Sequence, residues 1–164
     1  MGNIDNTNIT FLGASPIIFA STIVYTIPII IINIFFKPIF EIHFIPNKIL
    51  ITLGIFLLCV GIPLYIITFK ALKTAYKKKQ IITNGIFSIC RNPLFAEVIF
   101  LFLPGIILFF NSWLLLTIPC FMYLMFKIFI HKEESLLEEI FGQEYIKYKS
   151  NTSAIFPQLW KYNK

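Results

Sequence analysis

The chain is predicted to fold as an all-α polytopic membrane protein of about four transmembrane helices with a C-terminal helical tail on the cytosolic side. Composition and hydropathy pattern carry this. Of 164 residues, 57% are hydrophobic and only 13% charged, more apolar surface than a soluble fold of this length can hide. That surface is gathered into three runs, Ser15 to Phe36, Ile49 to Phe69, and Leu94 to Ile130. A helix needs about 20 apolar residues to cross roughly 30 Å of hydrocarbon. The third run is long enough for two passes, and Phe110-Asn111-Ser112-Trp113 supplies the polar hairpin between them. Four spans result.

The N-terminal segment from Met1 to Ser15 has no Lys or Arg and one acid, Asp5, so it lacks the positive region of a secretory signal. Between the first two spans lies a loop with Lys37-Pro38 and Ile45-Pro46-Asn47. The second span is expected to continue as helix through Ala71 to Tyr76, with Tyr76 and the lysines anchored at the headgroups. Asn84-Gly85 marks a turn, since the pair readily adopts positive φ. Pro93 suits the first turn of the third span, where a missing N–H costs little.

Lys and Arg distribution sets the expected orientation. The segment from Lys70 to Arg91 carries Lys70, Lys73, Lys77, Lys78, Lys79 and Arg91 and no acid, whereas the loop between the first two spans has Lys37 and Lys48 against Glu41. The basic segment and both termini are therefore expected in the cytoplasm, at the cell (inner) membrane. The net charge of +6 abuts the spans, which favours membrane lipids as partner over nucleic acid. Cys59, Cys90 and Cys120 show neither metal spacing nor a disulfide framework. The division along the chain is a pair of transmembrane helices over residues 1–69 and a region over 70–164 where the chemistry-bearing residues cluster.

Past the fourth span, about 100° per residue puts Leu136, Leu137, Ile140 and Phe141 on one stripe, with Ser135, Glu138 and Glu139 outside it. Glu133 falls near the stripe's centre and Glu134 at its edge. Two readings stand side by side. Either the glutamates open a helix at its positive dipole end, or Glu133 sits on a buried face and needs a partner or ligand. Gly142 ends the helix. Arg91 reads either as an interface anchor or as a site residue, and Asn92 as a cap for the helix at Pro93. Glu97, inside the third span, must face the bundle or a cavity, pairing with Lys127 or lining a pocket. His131 reads as interfacial.

The run Thr83-Asn84-Gly85-Ile86-Phe87-Ser88-Ile89-Cys90-Arg91-Asn92-Pro93-Leu94-Phe95 is followed, after the hairpin, by Glu133-Glu134, Leu137, Phe141-Gly142, Tyr145, Tyr148 and Phe156-Pro157. Together these resemble the isoprenylcysteine carboxyl methyltransferase family and its phospholipid methyltransferase relatives, over nearly half the chain and in order. Asn92 and Phe95 stand where the family most often has histidine and tyrosine. An arginine often found just before the glutamate pair is absent, leaving Lys127, His131 and Lys132 as the nearby cations. The resemblance implies methyl transfer from S-adenosylmethionine in a membrane-embedded pocket, to a lipophilic or small-molecule acceptor entering from the bilayer. It implies catalytic roles for Arg91 and Glu134 and cofactor contacts from Gly85, Arg91, Asn92, Pro93, Phe95, Glu133, Glu134, Tyr145 and Tyr148, with Glu97 toward substrate or pocket and no metal. The residue types suit this ligand. Arg91 can pair with its carboxylate, the glutamates with ribose hydroxyls or the ammonium, and the faces of Phe87, Phe95, Tyr145 and Tyr148 with adenine or the sulfonium cation. Methylation of a phospholipid amine or a thiol is the alternative reaction, and a non-catalytic scaffold or transport accessory protein the alternative class.

Overall fold

The computed structural model describes residues 15–78 and 80–156. The expectations for the N-terminal tail, the two termini, Lys79 and Pro157 fall outside them. Among the described residues, four helices are long and apolar enough to cross a membrane: Ser15–Phe35, Asn47–Lys78, Pro93–Phe110 and Leu114–Phe141. We label α1 (Ser15–Phe35), α2 (Lys37–Phe40, one turn in the first loop) and α3 (Asn47–Lys78). The third span comprises α4 (Pro93–Glu97), a π-helical stretch Val98–Phe102, α5 (Leu103–Ile107) and a closing 3-10 turn Leu108–Phe110. A 3-10 turn Leu114–Leu116 leads into α6 (Thr117–Phe141), and α7 (Gln143–Asn151) follows.

Outward-facing Ile, Phe and Leu side chains cover α1 and α3, as lipid contact demands. The 32 residues of α3 reach about 48 Å at 1.5 Å per residue, well past a bilayer core. Its last turns, with Lys73, Lys77 and Lys78 exposed, therefore project into the interface as the sequence suggested.

Where helices touch, small residues let them. A Cβ on Gly54 of α3 would come 2.8 Å from the Gly105 carbonyl oxygen of α5, and one on Gly105 would come 3.0 Å from Leu58. Helix association in lipid draws on such close approach because apolar burial gains little there. On the other side α1 packs along α6, with Tyr25 and Phe121 stacked at 4.1 Å and the Tyr25 hydroxyl donating to Thr117 Oγ1 at 3.1 Å. The main core joins Ile18 of α1, Phe95 and Ile99 of the third span, and Met122, Phe126 and Ile130 of α6.

The far end of the bundle is closed by polar stitching. Asn111 adopts φ 50°, which turns the chain at once into the fourth span. Its amide donates to Glu41 Oε1 at 3.1 Å, Ser112 donates to Asn33 Oδ1, and the Trp113 N–H donates to the Phe40 carbonyl at 3.0 Å.

Two expectations are corrected. Helix α6 runs unbroken through Phe141, so Glu133 and Glu134 do not open a helix and have no N-terminal dipole to serve. The burial order is also reversed, with Glu134 buried and Glu133 only half-buried. The apolar stripe was phased on the segment after Glu133 alone, whereas the face is set by continuity with Met122, Phe126 and Ile130, and Glu134 lies four residues beyond Ile130.

Gly54→Ala should be the more damaging of the two glycine substitutions. Its methyl meets backbone, while that of Gly105→Ala meets the movable Leu58 side chain. Overpacking of this kind costs about 1–3 kcal/mol, so the detergent thermal midpoint of Gly54→Ala should fall clearly below that of Gly105→Ala.

Candidate functional site

The opposite end of the bundle holds the charges. After the 3-10 turn Gly85–Ser88, where Gly85 takes φ 61° in open space, the chain runs through Cys90, Arg91 and Asn92 into Pro93. This stretch is laced to the segment after α7. Arg91 N–H donates to the Ser153 carbonyl at 2.9 Å and Asn92 N–H to that of Ala154 at 3.1 Å, with a parallel bridge between Cys90 and Ser153. The Asn92 side chain also donates to the Ala154 carbonyl, at 3.1 Å. It makes no cap bond to the helix at Pro93, so the side-chain capping reading does not hold.

Arg91 turns inward instead of reaching for headgroups. Its side chain is 10% exposed and that of Glu134 4%. Arg91 Nη2 and Nε donate to Glu134 Oε1 at 2.6 and 3.2 Å, and Nη1 donates to the carbonyls of Lys149, at 2.8 Å, and Thr152. The interface-anchor reading fails because these acceptors outcompete the headgroup region. Lys149 Nζ completes the cluster at 2.9 Å from Glu134 Oε2 and 2.7 Å from Glu138 Oε1. Both oxygens of Glu134 are thereby occupied.

Lys149 was absent from the expected site, which considered only Lys127, His131 and Lys132 as nearby cations. All three are exposed, and Lys127 lies over the Tyr123 ring at 5.8 Å. The signal was nevertheless present. Tyr145, Tyr148 and Lys149 follow the spacing i, i+3, i+4, one face of α7, and Thr152 follows directly after its end. Tyr145 and Tyr148 are buried on that face, their rings edge to face at 6.1 Å, and the Tyr148 hydroxyl donates to the Phe87 carbonyl at 2.6 Å. Glu138, placed outside the apolar stripe, is tied to Lys149, while Glu139 is exposed.

Electrostatics follow the geometry. The carboxylates of Glu138 and Glu134 raise the Lys149 pKa above the usual lysine value. Burial, then the Glu134 charge, pushes the Tyr145 hydroxyl up, and burial does the same at Tyr148. Burial pushes the Cys90 thiol up to about 11, with help from the charge of Glu97, so it stays protonated near neutrality. Phe95 and Pro93 are buried, and the Phe95 ring lies 5.1 Å from Phe126 and 6.0 Å from Phe19, within the core.

Glu97 faces α3. Thr68 Oγ1 donates to Glu97 Oε1 at 2.6 Å, so the expected alternative of an ion pair with Lys127 is replaced by this bond. Among the described residues, then, the structure brings Arg91, Asn92, Glu134, Tyr145 and Tyr148 into one cluster at the membrane end. Gly85 stands at its edge, Glu133 beside it on α6, and Glu97 on the α3 side.

Such a chain is a helical integral membrane protein whose buried charges meet where the third and fourth spans leave the bilayer. It belongs to the phospholipid methyltransferase family, whose model matches residues 42–144, and is a membrane methyltransferase. The matched stretch contains Gly85, Arg91, Glu97, Glu133 and Glu134, while the α7 face from Tyr145 lies beyond it. No curated relative and no solved structure matches the chain.

Lys149→Met should release the α7 segment from Glu134. The expected result is faster proteolysis across residues 143–156 and a lower thermal midpoint, with Glu139→Gln unchanged in both. Because the folded pKa of Lys149 is raised, its contribution is fully present below the ordinary lysine pKa, about 10.4, and is lost as pH rises through the higher folded value. The parent and Lys149→Met should therefore converge only above that range.

Proposed function

We propose that the chain transfers a methyl group from S-adenosylmethionine to a lipophilic acceptor, in a site at the cytoplasmic end of the bundle formed by the region 70–164. The family match supports methyl transfer, and the observation that carries the cofactor reading is the buried Arg91 cluster. A charge that is buried at the end of a membrane span needs a partner or a ligand. Orientation with the basic end of α3 in the cytoplasm follows the Lys and Arg distribution and places the site on the side where a soluble cofactor is supplied.

The donor set fits the cofactor. A guanidinium has five N–H groups, and four of those of Arg91 go to Glu134, Lys149 and Thr152. The remaining Nη2 N–H is the one that would meet the cofactor carboxylate. Half-buried Glu133 would accept from ribose hydroxyls or the ammonium group, with Asn92 and Gly85 shaping the turn, and Tyr145, Tyr148 and Phe95 walling the apolar side. S-adenosylmethionine, when bound, supplies an electrophilic methyl group on a sulfonium cation.

Glu134 takes a different part from Arg91 in this reading. Its oxygens are spent on Arg91 and Lys149, so it is a positioning residue that fixes the guanidinium plane. The protein's work is then to align acceptor and methyl group and to exclude water, and no nucleophile of its own is required. The phospholipid methyltransferase match favours a lipid acceptor over a small soluble one.

Purified protein in lipid discs, given methyl-labelled S-adenosylmethionine and a membrane extract, should label a lipid-soluble product. Arg91→Ala would remove the charge-assisted contact to the cofactor carboxylate and leave that charge unpaired, a change that typically costs about 2–5 kcal/mol. Cofactor affinity should fall about 30-fold or more at 1.4 kcal/mol per decade, Glu134→Ala should follow it, and Glu139→Ala should not. Absence of cofactor binding by the parent would favour the non-catalytic scaffold.

A further inference from the structure

Glu97 lies beyond the arginine-asparagine-proline motif, and its bonds to the described residues do not satisfy it fully. The residue is 4% exposed, and Thr68, its hydrogen-bond donor among the described residues, is 0% exposed. Oε1 takes the Thr68 hydroxyl, while Oε2 is buried with no hydrogen-bond partner among the described residues. A half-satisfied carboxyl group at the end of a membrane span is costly, and such groups mark ligand sites more often than structural ones.

The backbone around it is specialised as well. Directly after Glu97 the helix widens into the π-helical stretch Val98–Phe102, with Leu103 N–H bonded to the Val98 carbonyl. Pro104 offers one cause. It has no N–H for the Phe100 carbonyl four residues before it, and its ring would crowd that carbonyl in a regular helix. Single π turns recur at functional sites because they re-aim the side chains beside them. Around Thr68 the neighbours are aromatic, with Tyr65, about one turn deeper, facing Phe102 at 5.5 Å, and Phe69, one residue toward the interface, 6.0 Å from Tyr65. Toward the charged end stands Cys90, buried and bridged to Ser153. Glu97 thus lies between the Arg91 cluster and an apolar wall between α3 and the third span.

We infer that Glu97, held by Thr68, is the acceptor-binding residue: its free Oε2 receives an N–H or O–H from the head of the methyl acceptor while the tail lies along Tyr65, Phe69 and Phe102. This rests on the methyltransferase reading for what then happens to the head group, though not for the binding itself. The specificity follows from charge and valence. A head that donates a hydrogen bond satisfies Oε2, a head with no N–H or O–H leaves it orphaned, and a carboxylate head, which carries acceptors only, offers it no donor. The structure therefore selects protic acceptors over carboxylates.

The test uses single-chain amphiphiles of equal length on the full chain in lipid discs, counting binding above partition into empty discs. Dodecylamine and dodecyltrimethylammonium carry the same charge and differ in N–H groups, dodecanol supplies an O–H, and dodecanoate is the anionic control. The parent should bind dodecylamine, dodecanol or both about tenfold or more tightly than dodecyltrimethylammonium, and dodecanoate least of all. The preference should vanish in Glu97→Leu. For dodecylamine, whose ammonium only donates, it should also vanish in Glu97→Gln, which keeps an oxygen for Thr68 and turns the second position into a donor, so that loss in a folded protein is read directly. Equal binding of the four probes by the parent, a preference that survives in Glu97→Leu, or a dodecylamine preference that survives in Glu97→Gln, overturns the assignment. Titration of S-adenosylmethionine on the same discs separates the two readings, because loss of cofactor binding with the amphiphile preference intact overturns the cofactor site and leaves the Glu97 site standing.

Discussion

A polar group inside a bilayer has no water to fall back on, and in this chain the contact that answers to that constraint most heavily is the one between Arg91 and Glu134. Removing Glu134 would strand the Arg91 charge, and removing Arg91 would leave Glu134 to Lys149 alone, with both side chains at least nine-tenths buried. Together they join the start of the third span to the end of the fourth, and through the carbonyls of Lys149 and Thr152 they fasten the segment after α7 as well. Three parts of the chain, at Arg91, at Glu134 and at Lys149 to Thr152, meet on one guanidinium. The helices could pack without it by way of Gly54 and Gly105, but the polar cap at that end could not.

The two ends of the bundle solve the same problem differently. At the hairpin end, Asn33, Ser112, Asn111 and Glu41 are short and mostly neutral and stitch one loop to the next. At the other end the partners are long, charged and networked, a costly arrangement if only closure were needed, since a buried ion pair is weak evidence for stability. The asymmetry is what points to chemistry at that end. The unsatisfied oxygen of Glu97, a few residues deeper, extends the polar region from the interface into the membrane.

Much of this was legible in the sequence. The spans were set by hydropathy, because a helix that crosses a bilayer has no other way to satisfy its backbone, and the hairpin by Asn111-Ser112. Arg91 and Glu134 were named on motif spacing, and the structure brings them into contact. What failed was phase and partnership. Glu133 was placed at the buried centre because periodicity was counted from the glutamates onward, while the face is inherited from Ile130, Phe126 and Met122 upstream. Lys149 was missed because a lone lysine in a polar tail carries no hydropathy signal, and only the α7 face it shares with Tyr145 and Tyr148 betrays it. Thr68 as the partner of Glu97 was out of reach, because which face of α3 meets the third span depends on the glycine contacts.

The central claim is that Arg91 and Glu134 act as a unit, and a double-mutant cycle on thermodynamic stability measures this directly. Arg91→Met, Glu134→Leu and the pair would be unfolded in the same detergent and compared with the parent. Close buried charge pairs give coupling energies of about 1.5 kcal/mol or more, so the double variant should be markedly more stable than the sum of the two single losses allows. Additive losses, to within the roughly 0.5 kcal/mol expected of independent sites, would contradict the account.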